Sequence, residues 1–171
     1  MMRGYIFLCA LTGFAFFFAS CKDDEPNVKS LVVINELMAS NSNTAADQDG
    51  EYDDWVELYN MGSTGYDLSG HFLTDNHKNK TKWQFPGGTS IGSKGFLIVW
   101  CDGDTLQTGL HTNFRLSATG EDLLLVSPDG AVLDEVYFGS QVTDRSYARV
   151  PDGTGPFSIQ PPTFNRPNSA P

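Results

Sequence analysis

The sequence predicts an all-β fold, a sandwich or barrel of about nine short strands. Apolar runs of roughly five to eight residues alternate with turn residues, and no stretch keeps the spacing of an amphipathic helix. Val, Ile, Phe, Trp and Tyr are frequent in these runs, and pleated, half-buried strands favour those residue types. We predict strands at residues 31–37, 55–60, 66–73, 81–85, 96–101, 113–117, 122–127, 131–138 and 145–150.

Turn residues and prolines support this assignment between and after the runs. At residues 127–130, Pro128 presets its own φ and Gly130 adopts a positive φ without strain, which predicts a hairpin. The prolines from Pro161 to Pro171 cannot donate backbone hydrogen bonds. We therefore expect the C-terminal end to pack loosely or fray.

The first 20 residues have the pattern of a secretory signal peptide. Arg3 supplies the positive start, and the apolar run from Tyr5 to Phe18 is too short for a comfortable membrane span. The run closes on Ala19-Ser20-Cys21, which resembles the lipobox of bacterial lipoproteins. The resemblance implies that residues 1–20 are removed and that the thiol of Cys21 carries a lipid such as palmitate.

Residues 21–30 are expected to form an acidic tether behind the lipid. The charged residues directly after Cys21 resemble the short export signal that places some Gram-negative lipoproteins on the outer face of the outer membrane. The alternative is a charged stretch that only keeps the tether solvated. We expect a protein anchored in the outer membrane and displayed at the cell surface. The residues of this export signal are Lys22, Asp23, Asp24 and Glu25.

The charge balance restricts the partners. The chain has 171 residues, with 11 Lys+Arg against 21 Asp+Glu and a formal net charge of −10 at pH 7. This length suits one domain, which we assign to residues 31–168. An acidic surface repels a phosphate backbone, and the sequence has no basic stripe and no glycine-rich phosphate loop. We therefore expect no nucleic-acid partner.

The sequence offers little catalytic chemistry. Cys101 follows an apolar run and has no nearby histidine to activate it, so a packing role at a strand end is expected. Residues 88–92 match the G-x-S-x-G pattern but lead into a strand rather than the helix that a nucleophile elbow requires. His77 lies in a polar turn and is expected to be exposed, and His111 is expected to make a structural hydrogen bond. We predict a protein that is not an enzyme.

A cluster of carboxylates around Gly50 is the one candidate for a metal site. Calcium prefers six to eight oxygen ligands, and an acidic loop with a glycine supplies such ligands. An EF-hand alignment on Gly50 fails, because its first and twelfth positions would be Ala45 and Val56. The alternative is a solvated hairpin loop, which is the commoner role of charged stretches. We expect no cofactor, and calcium is the one candidate that this loop chemistry allows. The candidate ligands are Asp47, Asp49, Glu51 and Asp53.

Ordered motifs along the chain resemble the lamin tail domain family. The first strand, at residues 33–41, and the second, at residues 54–60, match in order, with Trp55, Glu57 and Asn60 in the expected places. The resemblance implies an immunoglobulin-like β-sandwich, in which the tryptophans more often fill the core than bind a ligand. Later segments that continue the resemblance are 67–70, 73–75, 83–86, 95–99, 113–117 and 146–153.

The fold alone implies little about the function, because one fold hosts many. We expect a non-catalytic, lipid-anchored binding or interaction module displayed on the outer membrane, with a protein or a glycan as its ligand. The alternative is a structural subunit of an envelope assembly, in which an exposed strand edge pairs with another protein.

Overall fold

The computed structural model describes residues 30–168, together with Met1. The predicted signal peptide, Cys21 and the acidic tether lie outside the described residues, apart from Met1 and Ser30. The described part contains strands and no helix, which confirms the all-β prediction. Its strands are β1 Val32–Met38, β2 Trp55–Asn60, β3 Tyr66–Asp67, β4 Phe72–Thr74, β5 Trp83–Gln84, β6 Ser90–Ile91, β7 Phe96–Trp100, β8 Glu121–Val126, β9 Val132–Phe138, β10 Ser146–Arg149 and β11 Phe157–Gln160.

These strands form the immunoglobulin-like sandwich that was expected. The larger sheet has the order β11-β10-β1-β2-β7, and the smaller sheet has the order β5-β4-β8-β9. Strands β3 and β6 pair separately as a short ribbon. All the strand pairs are antiparallel, so successive side chains alternate between the core and the outer face of each sheet.

A β-bulge in β1 changes which side chains face the core. The register between β1 and β2 shifts between Ile34 and Glu36. In a regular strand, residues three positions apart lie on opposite faces. Because of the bulge, Ile34 and Leu37 instead both face the core between the sheets. Glu36 instead lies on the outer face of the larger sheet, directly beside Glu57 of β2.

The C-terminal end does not fray, and the prediction that it packs loosely is wrong for residues 161–168. The chain continues from β11 across the outer face of the larger sheet, where the ring of Phe164 contacts Trp55 and Trp100. Asn168 is buried close to the end of the described part. The prolines cannot donate hydrogen bonds, but Thr163 and Asn165 between them donate their backbone amides to the sheet.

Two further strand predictions differ from the structure. The segment 66–73 is interrupted by a turn at residues 68–70, where Gly70 has a φ of +76°, so β3 and β4 join different sheets. Residues 113–117 form no strand, and only Arg115 makes an isolated bridge, to Asp102. The strands β6 and β11 were not predicted, because one lies within a glycine-rich turn and the other beside prolines.

Two glycines allow a test of how tightly the loops pack. Gly120 and Gly130 both have positive φ, but a Cβ on Gly120 would clash with the carbonyl oxygen of Phe138, whereas a Cβ on Gly130 meets nothing within 4 Å. We expect Gly130→Ala to cost about 1 kcal/mol of unfolding free energy. Gly120→Ala is expected to cost about 1–3 kcal/mol more, because the backbone must move. Denaturant unfolding measures both, and equal losses would contradict the clash.

Candidate functional site

The loops that carry the acidic residues lie at one end of the sandwich, which we call the far pole and define as loops 39–54 and 101–111. Strand β1 starts next to Ser30 and ends at Met38. The register then places Trp55 beside Met38 and Trp100 beside Trp55. Both loops therefore lie at the end of the larger sheet opposite to the point where the chain enters it.

The acidic loop brings three carboxylates together at the far pole. One oxygen atom each from Asp47, Glu51 and Asp53 lies within 4.8 Å of the others. Oδ1 of Asp47 accepts the backbone amides of Asp49 and Glu51, each at 2.9 Å, and these bonds close the loop. The second oxygens of Asp47 and Asp53 are buried and have no hydrogen-bond donor among the described residues.

Three of the four predicted calcium ligands therefore converge, and Asp49 lies outside the group. A residue that the sequence did not indicate completes the surroundings: Gln107 donates to Glu51 across 2.8 Å, and its own carbonyl oxygen has no partner. The pKa of Asp53 is raised, first by burial and then by the charges of Asp102, Glu51 and Asp47. A negative potential of this kind favours a bound cation.

A buried histidine and carboxylate lie next to this group. Nδ1 of His111 lies 2.5 Å from Oδ2 of Asp102, and both side chains are buried. Because the carboxylate accepts, Nδ1 carries a hydrogen and Nε2 accepts from the amide of Gln48 at 3.0 Å. The ring also stacks on Trp100. The expected structural role of His111 is confirmed, since these contacts join the two loops of the far pole.

The family-motif residue Asn60 has a structural role at the opposite end. Its side-chain amide nitrogen lies 2.8–3.2 Å from the carbonyl oxygens of Thr64, Ile91 and Gly92, which share its two hydrogens. Its carbonyl oxygen accepts the backbone amide of Gly62 at 2.8 Å. One buried side chain thus replaces the hydrogen bonds that water would make to four backbone groups.

Glu57, the second motif residue, is buried beneath the C-terminal segment. One of its oxygens accepts from the side chain of Asn35 at 3.1 Å, and the other accepts the backbone amide of Asn165 at 2.6 Å. Burial raises the pKa of Glu57 to about 8, and the neighbouring charge of Glu36 adds to the shift. The third motif residue, Trp55, is fully buried against Phe164.

A comparison against protein families gives a match that spans strands β1 to β9. The model described as Lamin Tail Domain matches residues 25–140. The chain belongs to the lamin tail domain family. No curated protein matches this lamin tail domain chain. In the described part of the domain, no helix is long and apolar enough to cross a bilayer.

The other residues of this lamin tail domain that the sequence singled out lie in its core, in turns or on its surface. Cys101 is buried, and burial raises the pKa of its thiol, which confirms the packing role. Residues 88–92 form a turn and β6, and no helix follows them, so they are not a nucleophile elbow. His77 is half exposed and lies 3.4 Å from Asp122. Trp83 is buried in the core between the sheets.

Calcium binding at the far pole stays a prediction, and a thermal titration of the full chain in detergent tests it. If calcium binds only the native state, the melting temperature rises, and calcium at about 100 times its Kd adds about 2.7 kcal/mol of stability. Asp53→Asn is expected to abolish the rise, because Asp53 supplies one of the oxygens without a donor.

Asp49→Asn is the matched control, since it removes the same charge from the same loop but lies outside the converging group. It is expected to leave most of the calcium effect. An unchanged melting temperature of the unmodified chain would mean that the loop is solvated and carries no cation.

Proposed function

We propose that this lamin tail domain is a non-catalytic binding module, anchored through a lipid on Cys21 to the outer membrane and displayed at the cell surface. The lipobox-like residues before Cys21 and the acidic residues after it support the anchor and its export. The observation that carries the binding role is the position of the far pole, opposite to the end at which the chain enters the domain.

The geometry of an anchored domain follows from this topology. Residues 21–30 can span at most about 35 Å when fully extended. The end of the sandwich near Ser30 would then lie towards the membrane, and the far pole would face away from it. A ligand outside the cell would meet the far pole first.

The chemistry of the far pole suits a ligand with both polar and apolar groups. Leu106 is 94% exposed and Tyr52 is 49% exposed, each on one of its two loops. Singly exposed apolar residues are common, but Tyr52 lies between Glu51 and Asp53 in the chain, and Leu106 precedes Gln107, which donates to Glu51. Carboxylates accept hydrogen bonds from hydroxyl and amine donors, and the apolar side chains add contact area. A glycan or a protein surface offers such donors.

The surroundings of the reactive groups support a non-catalytic role. Glu57 has a strongly shifted pKa, but both of its oxygens are bonded inside the fold. Cys101 is buried, and His111 has both ring nitrogens engaged by Asp102 and Gln48. Each of these groups is bonded or buried inside the domain.

The second candidate function is a structural subunit of an envelope assembly. Strand β9 is an edge of the smaller sheet, and Tyr137 on it is 72% exposed. An exposed edge strand has free backbone groups with which another protein can pair. The charged and exposed Glu135 on the same strand works against pairing with a second copy of this acidic chain.

The lipid anchor is tested by labelling cells with a palmitate analogue. We expect the label on the unmodified protein and on the Cys9→Ala variant, since Cys9 lies in the predicted leader. Cys21→Ala is expected to lose the label and to leave the membrane fraction. Label that persists on Cys21→Ala would overturn the anchor, and resistance to protease on intact cells would contradict outward display.

The binding role is tested by placing a photo-crosslinking residue at Leu106 or at Tyr137 in the cell. A glycan or protein captured from Leu106 alone would support the far pole as the binding surface. A stoichiometric envelope protein captured from Tyr137 alone would support the assembly role instead. Capture from neither position would contradict both functions.

A further inference from the structure

One loop of the far pole presents three exposed side chains in a row, those of Asp104, Thr105 and Leu106. Thr105 and Leu106 form a turn, and Leu106 is 94% exposed. Between residues 30 and 168, no other large apolar side chain is exposed to this extent. The packing of the domain does not account for this position, because an apolar side chain is less stable in water than against other apolar atoms.

Hydrogen bonds hold this turn in one conformation. Oδ1 of Asp102 accepts the backbone amide of Asp104 at 2.8 Å, and Oδ1 of Asp104 accepts that of Leu106 at 3.0 Å. Asp102 is buried and lies 2.5 Å from Nδ1 of His111. The turn is thus attached to the buried part of the far pole, and its three exposed side chains are presented in a fixed arrangement.

The order of chemical groups on this turn is that of an acceptor for a modifying enzyme. An aspartate, a threonine and an apolar residue in sequence resemble an acceptor motif of bacterial O-glycosylation. A carboxylate is recognised by hydrogen-bond donors or a cation, and an apolar side chain is recognised by a pocket. Both groups flank the hydroxyl of Thr105, and all three lie on the outside of the fold.

The charge of the far pole favours the addition of a neutral group. Gln107, two residues after Thr105, donates to Glu51 across 2.8 Å, and the carboxylates of Asp47 and Asp53 converge on Glu51. A phosphate would add a charge of about −1.5 to −2 beside these groups and would be repelled. A sugar adds no charge, and its hydroxyl groups can donate to the exposed carboxylate of Glu51.

We propose that Thr105 is the acceptor of an O-linked glycan, recognised by a glycosyltransferase through the carboxylate of Asp104 and the side chain of Leu106. The hydroxyl oxygen of Thr105 forms a bond to the anomeric carbon of a sugar diphosphate donor. The bond between that carbon and the diphosphate breaks, and the diphosphate leaves with the bonding electrons. The hydroxyl proton passes to a base of the enzyme.

The modification goes beyond the proposed binding role and does not depend on it, since the hydroxyl of Thr105 is exposed whether or not the far pole binds a ligand. Its glycan would extend from the far pole and cover the side chain of Leu106. A modified far pole would therefore display a sugar of its own.

Mass spectrometry of the full chain, purified from the cells that normally make it, tests the acceptor. Trypsin leaves residues 95–115 as one peptide, because Lys94 and Arg115 bound it and no Lys or Arg lies between them. We expect this peptide to be heavier than its sequence by a whole number of sugar residues. Fragmentation that preserves the glycosidic bond is expected to place them on Thr105.

A peptide 95–115 with the mass of its sequence would refute the proposal. So would the mass of a phosphate, or a sugar placed on Thr108 or Thr112. These results need no variant, and they say nothing about crosslinking from Leu106, which measures the binding role separately.

Substitution of the hydroxyl identifies the acceptor independently. Thr105→Ala is expected to remove the added mass, and Thr105→Ser is expected to keep it, because serine also supplies a hydroxyl. Thr108→Ala is the matched control: Thr108 is exposed in the same loop, but Gln107 precedes it and Gly109 follows it. All three variants replace an exposed side chain, so the domain is expected to fold. Added mass that persists in Thr105→Ala would contradict the assignment.

Recognition by the flanking side chains is measured as the modified fraction after a short pulse of synthesis. Asp104→Asn removes the charge but keeps an oxygen that can accept the amide of Leu106, and it is expected to lower this fraction about tenfold. Leu106→Asn removes the apolar contact and is expected to lower it about tenfold as well. Asp49→Asn, which removes a charge from the other loop, is expected to change nothing. Equal modification in all these variants would mean that the tripeptide is not what the enzyme recognises.

Discussion

The burial of two acidic groups on the outer face of the larger sheet is the constraint on which much of the structure depends. Glu36 and Glu57 face each other across neighbouring strands, and neither is accessible to solvent. Leaving buried carboxyl groups without partners costs several kcal/mol, so donors must reach them. The C-terminal segment, which we call the strap and define as residues 161–168, supplies those donors from Thr163 and Asn165, and it therefore belongs to the fold although it contains no regular structure.

The bulge in β1 creates this position. Without it, the residue opposite Glu57 would follow the alternation of the strand and the acidic side chain would fall on the other face. The same outer face then continues towards the far pole through Trp55 and Trp100, and His111 stacks on Trp100. One continuous outer surface thus links the strap to the acidic loops, although the two differ in their exposure.

Much of the fold could be predicted from the sequence because its strands are short apolar runs between turns. The hairpin around Pro128 and Gly130, the second strand with Trp55 and Glu57, and the burial of Cys101 all follow from local residue types. The acidic loop was also recognisable, but its geometry was not. The side chain of Asp47 closes the loop by accepting the backbone amides of Asp49 and Glu51, and Asp49 lies outside the converging carboxylates. Gln107 reaches Glu51 from a loop 56 positions later in the chain.

By itself, the sequence determined the all-β class, the family and the residues that carry charge, because periodicity and motif order are local properties of the chain. Tertiary structure alone decided that the proline-rich end packs, that Glu36 and Glu57 share one buried position, and that Asn168 fixes the hydroxyl of Thr163. The hydrogen bonds that join the proline-rich end to Glu36, Glu57 and Asn35 link residues more than a hundred positions apart. No local pattern in the sequence shows that a proline-rich tail meets buried acceptors so distant in the chain.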